Sequence, residues 1–432
     1  MPAPLDKAKH LKYWQRCFAS HLPSAYTAND SSRLTFAYFT ISALDLLSAP
    51  PLTRQERASL RAWVLRLQHP QGGFCGSSTH VLAGQDAPRG SANLAATFFA
   101  LLLLALAAET DDEAVAAFAG VDRNSLLRWM RRLQRTDGSF GQVLWEGEAV
   151  GGRDMRHSYL ASCIRWMVRG DVARDGSHGA DGDAAWEEDD IDVDGMIEHV
   201  WHTQTYDGGV AEVSDHESHA GYAYCAVGAL YMLDRPPSAT SSHTNSAAIA
   251  KGVPDRAALI RFLVHRQFNY LVQEEEADSD SDNQNFIEPK LGALSLENSC
   301  THVGWNGRWN KKADTCYCWW VAGTLSMMDS FHAVNVAPSR AYLLDITQHR
   351  IGGFAKHAGG HPDLYHSYLG LAALAVMGDE DLKDFDAGLC CSRETVRKIE
   401  LAREGLLRTC ADAGGRAERE SKEFWGAVRG QT

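Results

Sequence analysis

Leu60-Arg61-Ala62-Trp63-Val64-Leu65-Arg66-Leu67-Gln68, followed by Gln71-Gly72-Gly73-Phe74, is a unit that this chain repeats. Leu126 to Gln134 precedes Asp137-Gly138-Ser139-Phe140, and Ile197 to Gln204 precedes Asp207-Gly208-Gly209-Val210. Leu259 to Gln267 repeats the first half, and Tyr342 to Gln348 leads to Gly352-Gly353-Phe354. The spacing of the marker glutamines suits a helical-hairpin repeat of roughly 45–50 residues plus loops. Each unit reads as an amphipathic helix ending at a Gly-rich turn, then a second helix. The second helices, Ala92 to Ala108, Ser158 to Met167, Gly221 to Leu233, Cys316 to Met328 and His366 to Met377, are apolar and rich in small residues. A helix apolar around its whole surface is buried on all sides. Alternating amphipathic and buried helices predict an outer and an inner ring: an all-α fold, an α/α barrel or toroid. Strand signals are nearly absent. A solenoid of stacked hairpins is the rival, but its helices rarely have such uniformly apolar inner members. In a barrel, the Gly-rich turns and inner-helix N-termini gather at one end, where helix dipoles favour anions.

The chain has 432 residues, and 45% of them are apolar, enough for a large core. Closed α-barrels run this long as one unit, so residues 1–432 are expected to form a single domain. Three segments break the pattern and are expected to be disordered surface insertions: about 171–194, 235–253 and 273–285. The balance of 42 basic and 55 acidic side chains, net −13, with no Lys/Arg-rich tract, argues against a general nucleic-acid binder. The longest strongly apolar run, Leu94 to Ala108, is too short to span a bilayer. The N-terminus lacks the apolar core of a signal peptide, and the ten cysteines are scattered through helical patterns. Both lead to the expectation of a reducing, cytoplasmic compartment.

The chemistry concentrates in Gly307-Arg308-Trp309-Asn310-Lys311-Lys312-Ala313-Asp314-Thr315-Cys316-Tyr317, just ahead of an apolar helix. A carboxylate and a thiol two residues apart at a helix start can grip one side of a soft divalent metal, with a histidine completing the set. Arg308 and Lys311 could hold a phosphate-rich anion beside it. His361-Pro362-Asp363-Leu364-Tyr365-His366 stands ahead of the next inner helix. Neighbouring inner helices lie side by side, so Asp314, Cys316 and His366 can converge on one ion. Taken alone, an Asp-x-Cys pair is weak, and a single histidine is more often a capping or core residue than a ligand.

With those motifs in hand, the sequence resembles the β subunits of protein prenyltransferases over nearly its whole length, apart from the insertions. The resemblance rests on Gly307-Arg308-x-Asn310-Lys311, Asp314-x-Cys316-Tyr317, Glu217-Ser218-His219-x-Gly221, Asp154-x-Arg156, and His366 after Gly352-Gly353-Phe354. It implies an α/α barrel and a zinc-dependent transfer of a prenyl group to a protein cysteine, through a zinc-bound thiolate. It assigns Asp314, Cys316 and His366 to one zinc ion per β subunit, and His219, Arg308, Lys311 and Tyr317 to the isoprenoid diphosphate. It also implies a heterodimer with an α subunit of helical hairpins. Phe36, Tyr38, Phe39, Phe98, Phe99, Tyr159, Tyr222 and Tyr224 are candidate walls of a lipid pocket, although many such aromatics are simply core.

Among the relatives, the stretch from Ser32 to Phe39 looks like the geranylgeranyltransferase type I pattern. Where Thr35 falls, farnesyltransferase carries a tryptophan that closes the lipid pocket, so a threonine leaves room for a C20 donor, geranylgeranyl diphosphate. Lys356 stands where farnesyltransferase has a magnesium-binding aspartate, so the resemblance implies that magnesium is dispensable. The implied substrates are proteins ending in a CaaX motif, such as Rho-, Rac- and Rap-type small GTPases. Tyr365 departs toward farnesyltransferase, and Asn93 and His157 also depart from the family pattern near the peptide pocket. Arg156 is assigned to the peptide end of the site, or else to a buried salt bridge with Asp154. Alternatives are a farnesyltransferase or Rab-type (type II) β subunit, a barrel scaffold that has lost catalysis, and a terpene cyclase. The clustered aspartates of a cyclase are absent from the inner-helix ends.

Overall fold

A computed structural model describes residues 3–169, 190–236, 247–270 and 301–411. Outer and inner helices alternate along the chain. Helix α1 (Lys7–Ala19) lies outside, α2 (Arg33–Leu46) inside, α3 (Arg54–Leu65) outside and α4 (Leu94–Leu106) inside. A short α5 (Asp111–Val115) leads to outer α6 (Arg123–Leu133), inner α7 (Met155–Arg169), outer α8 (Val193–Trp201) and inner α9 (Ala220–Asp234). After a short α10 (Ala247–Gly252) come outer α11 (Arg256–Val264) and inner α12 (Thr315–Met327). Outer α13 (Val336–Ala341) runs into a π turn at Tyr342–Thr347, and inner α14 (Leu364–Val376) and C-terminal α15 (Arg393–Ala411) follow. The inner helices pack in chain order from α2 through α4, α7, α9 and α12 to α14, and α14 returns to α2. The ring is closed. It contains one inner helix more than the repeats indicate: α2, whose outer partner α1 ends at Ser20 without a Gly-rich turn.

The repeated glutamines explain themselves. Gln134 gives its side-chain N–H to Asp192 O at 2.7 Å and accepts the Asp192 N–H at 2.6 Å, and Asp192 is the N-cap of the next outer helix, α8. Gln204 does the same to Asp255, the cap of α11. Gln348 accepts the N–H of Asp6, the cap of α1, at 3.0 Å, so the last repeat is clipped to the first helix. The turn glycine fits the same scheme: a Cβ on Gly352 would lie 2.2 Å from Lys9 O, which only glycine avoids.

The far end of the barrel is plugged by the turn before α15. Tyr38 and Tyr368 both donate to Cys390 O at 2.6 Å, Tyr159 to Gly388 O at 2.8 Å and Tyr224 to Ala387 O at 2.7 Å. Asp386 pairs with Arg235 through two 2.9 Å bonds beside them. Among the described residues, eight strands of two or three residues tie the loops together, each too short to show alternation in the sequence. No helix among the described residues is long and apolar enough to cross a membrane.

Two of the expected insertions have packed edges, while 170–189 and 237–246 lie outside the described residues. Within 235–253 the chain forms α10, with Ala248, Ile249 and Val253 buried, and Arg235 belongs to the floor ion pair. Within 171–194, Ile191 is buried, Asp190 pairs with Arg165 and Asp192 caps α8. Composition missed both, because short alanine-rich or acidic pieces are ordered here by tertiary contacts. The third, 273–285, lies outside the described residues.

Candidate active site

Inner-helix caps build the site. Asp314 is the N-cap of α12, and its Oδ1 accepts the Cys316 backbone N–H at 2.9 Å. Asp363 caps α14, where one oxygen accepts the His366 backbone N–H at 2.9 Å and the other faces its ring Nδ1 at 2.6 Å. The ring's Nε2 then lies 3.3 Å from Asp314 Oδ1. Ligand atoms of Asp314, Cys316 and His366 all fall within 4.8 Å of one another. Asp363 is the member that the sequence reading quotes without a role; its signal is a carboxylate three residues ahead of a ligand-type histidine.

The electrostatics ask for a cation. Against its burial, the Asp314 and Asp363 carboxylates raise His366 to about 9. Burial, and then the Asp314 charge, push the Cys316 thiol well up. The protein alone thus disfavours the thiolate, and a divalent cation held by Asp314, Cys316 and His366 would supply the charge that reverses this. Carboxylate, thiolate and imidazole form a donor set that zinc accepts, with a fourth position left for a further ligand. Lys356 Nζ stands 4.0 Å from Asp314 Oδ2. Its carbonyl accepts the Thr315 N–H at 2.9 Å, which pins this loop to the start of α12.

Next to the cluster is a recess of about 330 Å³ lined by Glu212, His216, Glu217, His219, Tyr222 and Arg308. His219 caps α9, and its Nδ1 accepts the Gly221 N–H at 3.0 Å. Burial, with the Arg308 charge second, lowers this imidazole to about 4, so it is neutral near pH 7. With Nδ1 accepting, Nε2 carries the hydrogen and donates to Tyr317 Oη, 3.0 Å away. The Tyr317 hydroxyl is left free to donate outward. A Cβ on Gly307 would lie 2.3 Å from the Tyr317 ring, so glycine is required for the ring to lie there. Arg308 pairs with Glu217 across the recess. Arg156 pairs with Asp154, whose carboxylate is buried while the Arg156 side chain stays largely exposed, and its guanidinium lies 6.0 Å from the Tyr222 ring. Lys311 is exposed on its loop, its carbonyl accepting from Asn306 at 3.0 Å.

Beneath the rim, aromatic rings from every inner helix touch in sequence. Phe39 stacks on Tyr368 at 5.1 Å and meets Phe99 at 5.9 Å, while Phe98 meets Tyr159, and Tyr159 meets Tyr224. Tyr224 meets Trp320, whose indole N–H donates to Tyr365 Oη at 3.2 Å. Tyr365 is 38% exposed, so it borders open space rather than filling core. Trp320 belongs to this run of rings although the sequence reading omits it, and Trp319 is fully buried against Tyr224 and Phe385. Two of its candidates lie elsewhere: Phe36 packs on Tyr26, and Tyr222 lines the recess. Thr35 is half-buried in the first turn of α2, one turn above Tyr38, hence nearer the rim than the floor.

A closed α/α toroid with a carboxylate–thiol–imidazole cluster and a polar recess at one rim defines the architecture. The family description "Prenyltransferase alpha-alpha toroid domain" matches residues 5–391, and the chain belongs to that family. It is 27% identical to the geranylgeranyl transferase type-1 subunit beta of Arabidopsis thaliana over 88% of this chain and 87% of the relative. It is 28% identical to the protein farnesyltransferase subunit beta of Schizosaccharomyces pombe over 85% of this chain and 78% of that one. The solved Candida albicans protein geranylgeranyltransferase-I, complexed with GGPP, has the same fold, with a TM-score of 0.71 at 24% identity. The match covers 93% of this chain and 99% of that one.

Proposed function

We propose that the chain is the catalytic β subunit of a heterodimeric, cytoplasmic protein geranylgeranyltransferase of type I. The observation that carries a protein prenyltransferase is the Asp314–Cys316–His366 cluster beside the recess lined by Arg308 and His219, with Tyr317 hydrogen-bonded to His219 between them. Zinc held by Asp314, Cys316 and His366 would supply the Lewis acid that favours the thiolate form of an incoming cysteine. The chain's own residues do the rest. Arg308 exchanges Glu217 for the diphosphate, and the Tyr317 hydroxyl, oriented by His219, donates to it. As sulfur bonds to C1 of the prenyl chain and the C1–oxygen bond breaks, negative charge grows on the departing diphosphate. Fixed donors aimed at that charge favour the transition state over the ground state. Lys356 offsets the same charge, so magnesium is not required, and Lys311 adds a second cation at the rim. The aromatic lumen excludes water and takes the hydrocarbon, with Phe39 as wall.

The type I reading rests on Thr35 and Lys356 and is supported by the relatives named type-1. Tyr365 favours a second reading, a farnesyltransferase β subunit. Arg156 and Tyr365 are proposed for the CaaX peptide side. The test is co-expression with an α subunit, followed by transfer from farnesyl or geranylgeranyl diphosphate to peptides ending in Leu, Met or Ser. Geranylgeranyl transfer to the Leu peptide is expected. Preferential farnesyl transfer to Met or Ser peptides would select the second reading.

A further inference from the structure

Arg266 has no solvent exposure, and its Nε, Nη1 and Nη2 have no hydrogen-bond partner among the described residues. Burying a guanidinium so is costly. The other repeats hold Leu67, Leu133, Thr203 and Thr347 at this place, so barrel packing does not call for a cation. What Arg266 has instead is two aromatic faces, Phe262 at 4.7 Å and Trp309 at 4.0 Å. Trp309 is gripped a second time at its edge, where the indole N–H donates to Asp207 Oδ2 at 3.2 Å. The same Asp207 oxygen accepts the Ser218 hydroxyl at 2.7 Å. Its other oxygen takes the Thr205 hydroxyl at 2.5 Å and the Gly209 N–H at 3.2 Å, which fixes the carboxylate to its own turn. Ser218 immediately precedes His219, and Trp309 immediately follows Arg308. One carboxylate therefore joins the two segments that bring the imidazole and the guanidinium to the recess.

We propose that Asp207 and Arg266 are positioning residues: through Ser218 and Trp309 they set His219 and Arg308 at the spacing that a diphosphate needs. Neither touches the substrate. This rests on the diphosphate reading of the recess given above. In the heterodimer, Asp207→Ala is expected to speed hydrogen–deuterium exchange in residues 217–221 and 306–311 together, and Arg266→Met in 306–311. Both variants are expected to bind geranylgeranyl diphosphate about 10- to 100-fold more weakly, with the peptide KM unchanged. Asp207→Asn can still accept from Ser218 and Trp309 through its one oxygen but sets its amide NH2 against the Gly209 N–H, so it is expected to recover only part of the loss. Arg266→Met removes a buried charge that has no hydrogen-bond partner among the described residues and is expected to melt close to wild type, and its measured melting temperature separates weaker binding from a folding defect. Wild-type exchange in both variants, or wild-type affinity in both, overturns the frame. If the wild type itself does not bind geranylgeranyl diphosphate, the functional reading falls, and the exchange result alone decides the frame.

Discussion

Cys316 is the soft donor of a set whose other atoms are nitrogen and oxygen. Cys316→Ala should lose zinc and transfer activity together while keeping prenyl diphosphate affinity, because the recess and lumen do not include the thiol. Metal analysis and a binding titration on the same sample check this, and full zinc content would refute the assignment. Lys356 lies 4.0 Å from Asp314 on a loop tied to α12. Lys356→Asp places a second carboxylate there and repels the departing diphosphate, a repulsion that a divalent cation can bridge. Turnover of the wild type should be nearly flat against magnesium at constant zinc. The variant should be slow without magnesium and recover steeply as it is added. A wild type that itself needs magnesium would remove one of the two supports for type I.

At the scale of elements, the caps carry both chemistry and cohesion. Asp363 holds the His366 ring by its second nitrogen, and such outer partners typically change metal affinity by about 10–100-fold. Asp363→Asn should therefore release zinc to a chelator at correspondingly lower chelator concentration, with the fold unchanged by circular dichroism. Gln134 clips α6 to the cap of α8, far from the site. Gln134→Ala should cost about 0.5–1.5 kcal/mol by urea denaturation, the net worth of solvent-accessible hydrogen bonds whose partners water can satisfy, and leave prenyl diphosphate binding alone. The sequence displayed these glutamines as a period but not their purpose, because the partner lies in the next repeat. The metal candidates were legible for a related reason: Asp314, Cys316 and His366 all sit in first turns, where sequence position nearly fixes spatial position. Asp207 and Arg266 were not legible, since their meaning depends on Trp309 and Ser218 folding back upon them. Helix α2 hid as an inner member because its partner α1 lacks the marker turn.

For the whole molecule, closure at the N-terminal helix depends on protonation. His10 is fully buried, stacks on Phe354, faces Gln348 Oε1 at 3.0 Å and accepts the Gly353 N–H at 3.1 Å. Burial lowers it from 6.5 to about 4, and His219 shifts the same way. Between those values the unfolded chain binds protons that the native one does not. The contribution of these two groups is therefore complete above about pH 6.5 and is lost as the pH falls toward 4. Denaturation midpoints measured across that range should show the slope, and His10→Asn should flatten it; an unchanged slope would clear His10. Closure at the floor bears on synthesis instead. The hydroxyl of Tyr38 waits for a carbonyl 352 residues later, and α1 is held by residues made after nearly all of the ring. Until the turn at 387–390 emerges from the ribosome, inner helices that are apolar on every face have no finished interior to enter. Contacts so distant in sequence form slowly and leave apolar surface exposed meanwhile. A nascent chain truncated before this turn is thus a substrate for chaperones and proteases, not a smaller barrel.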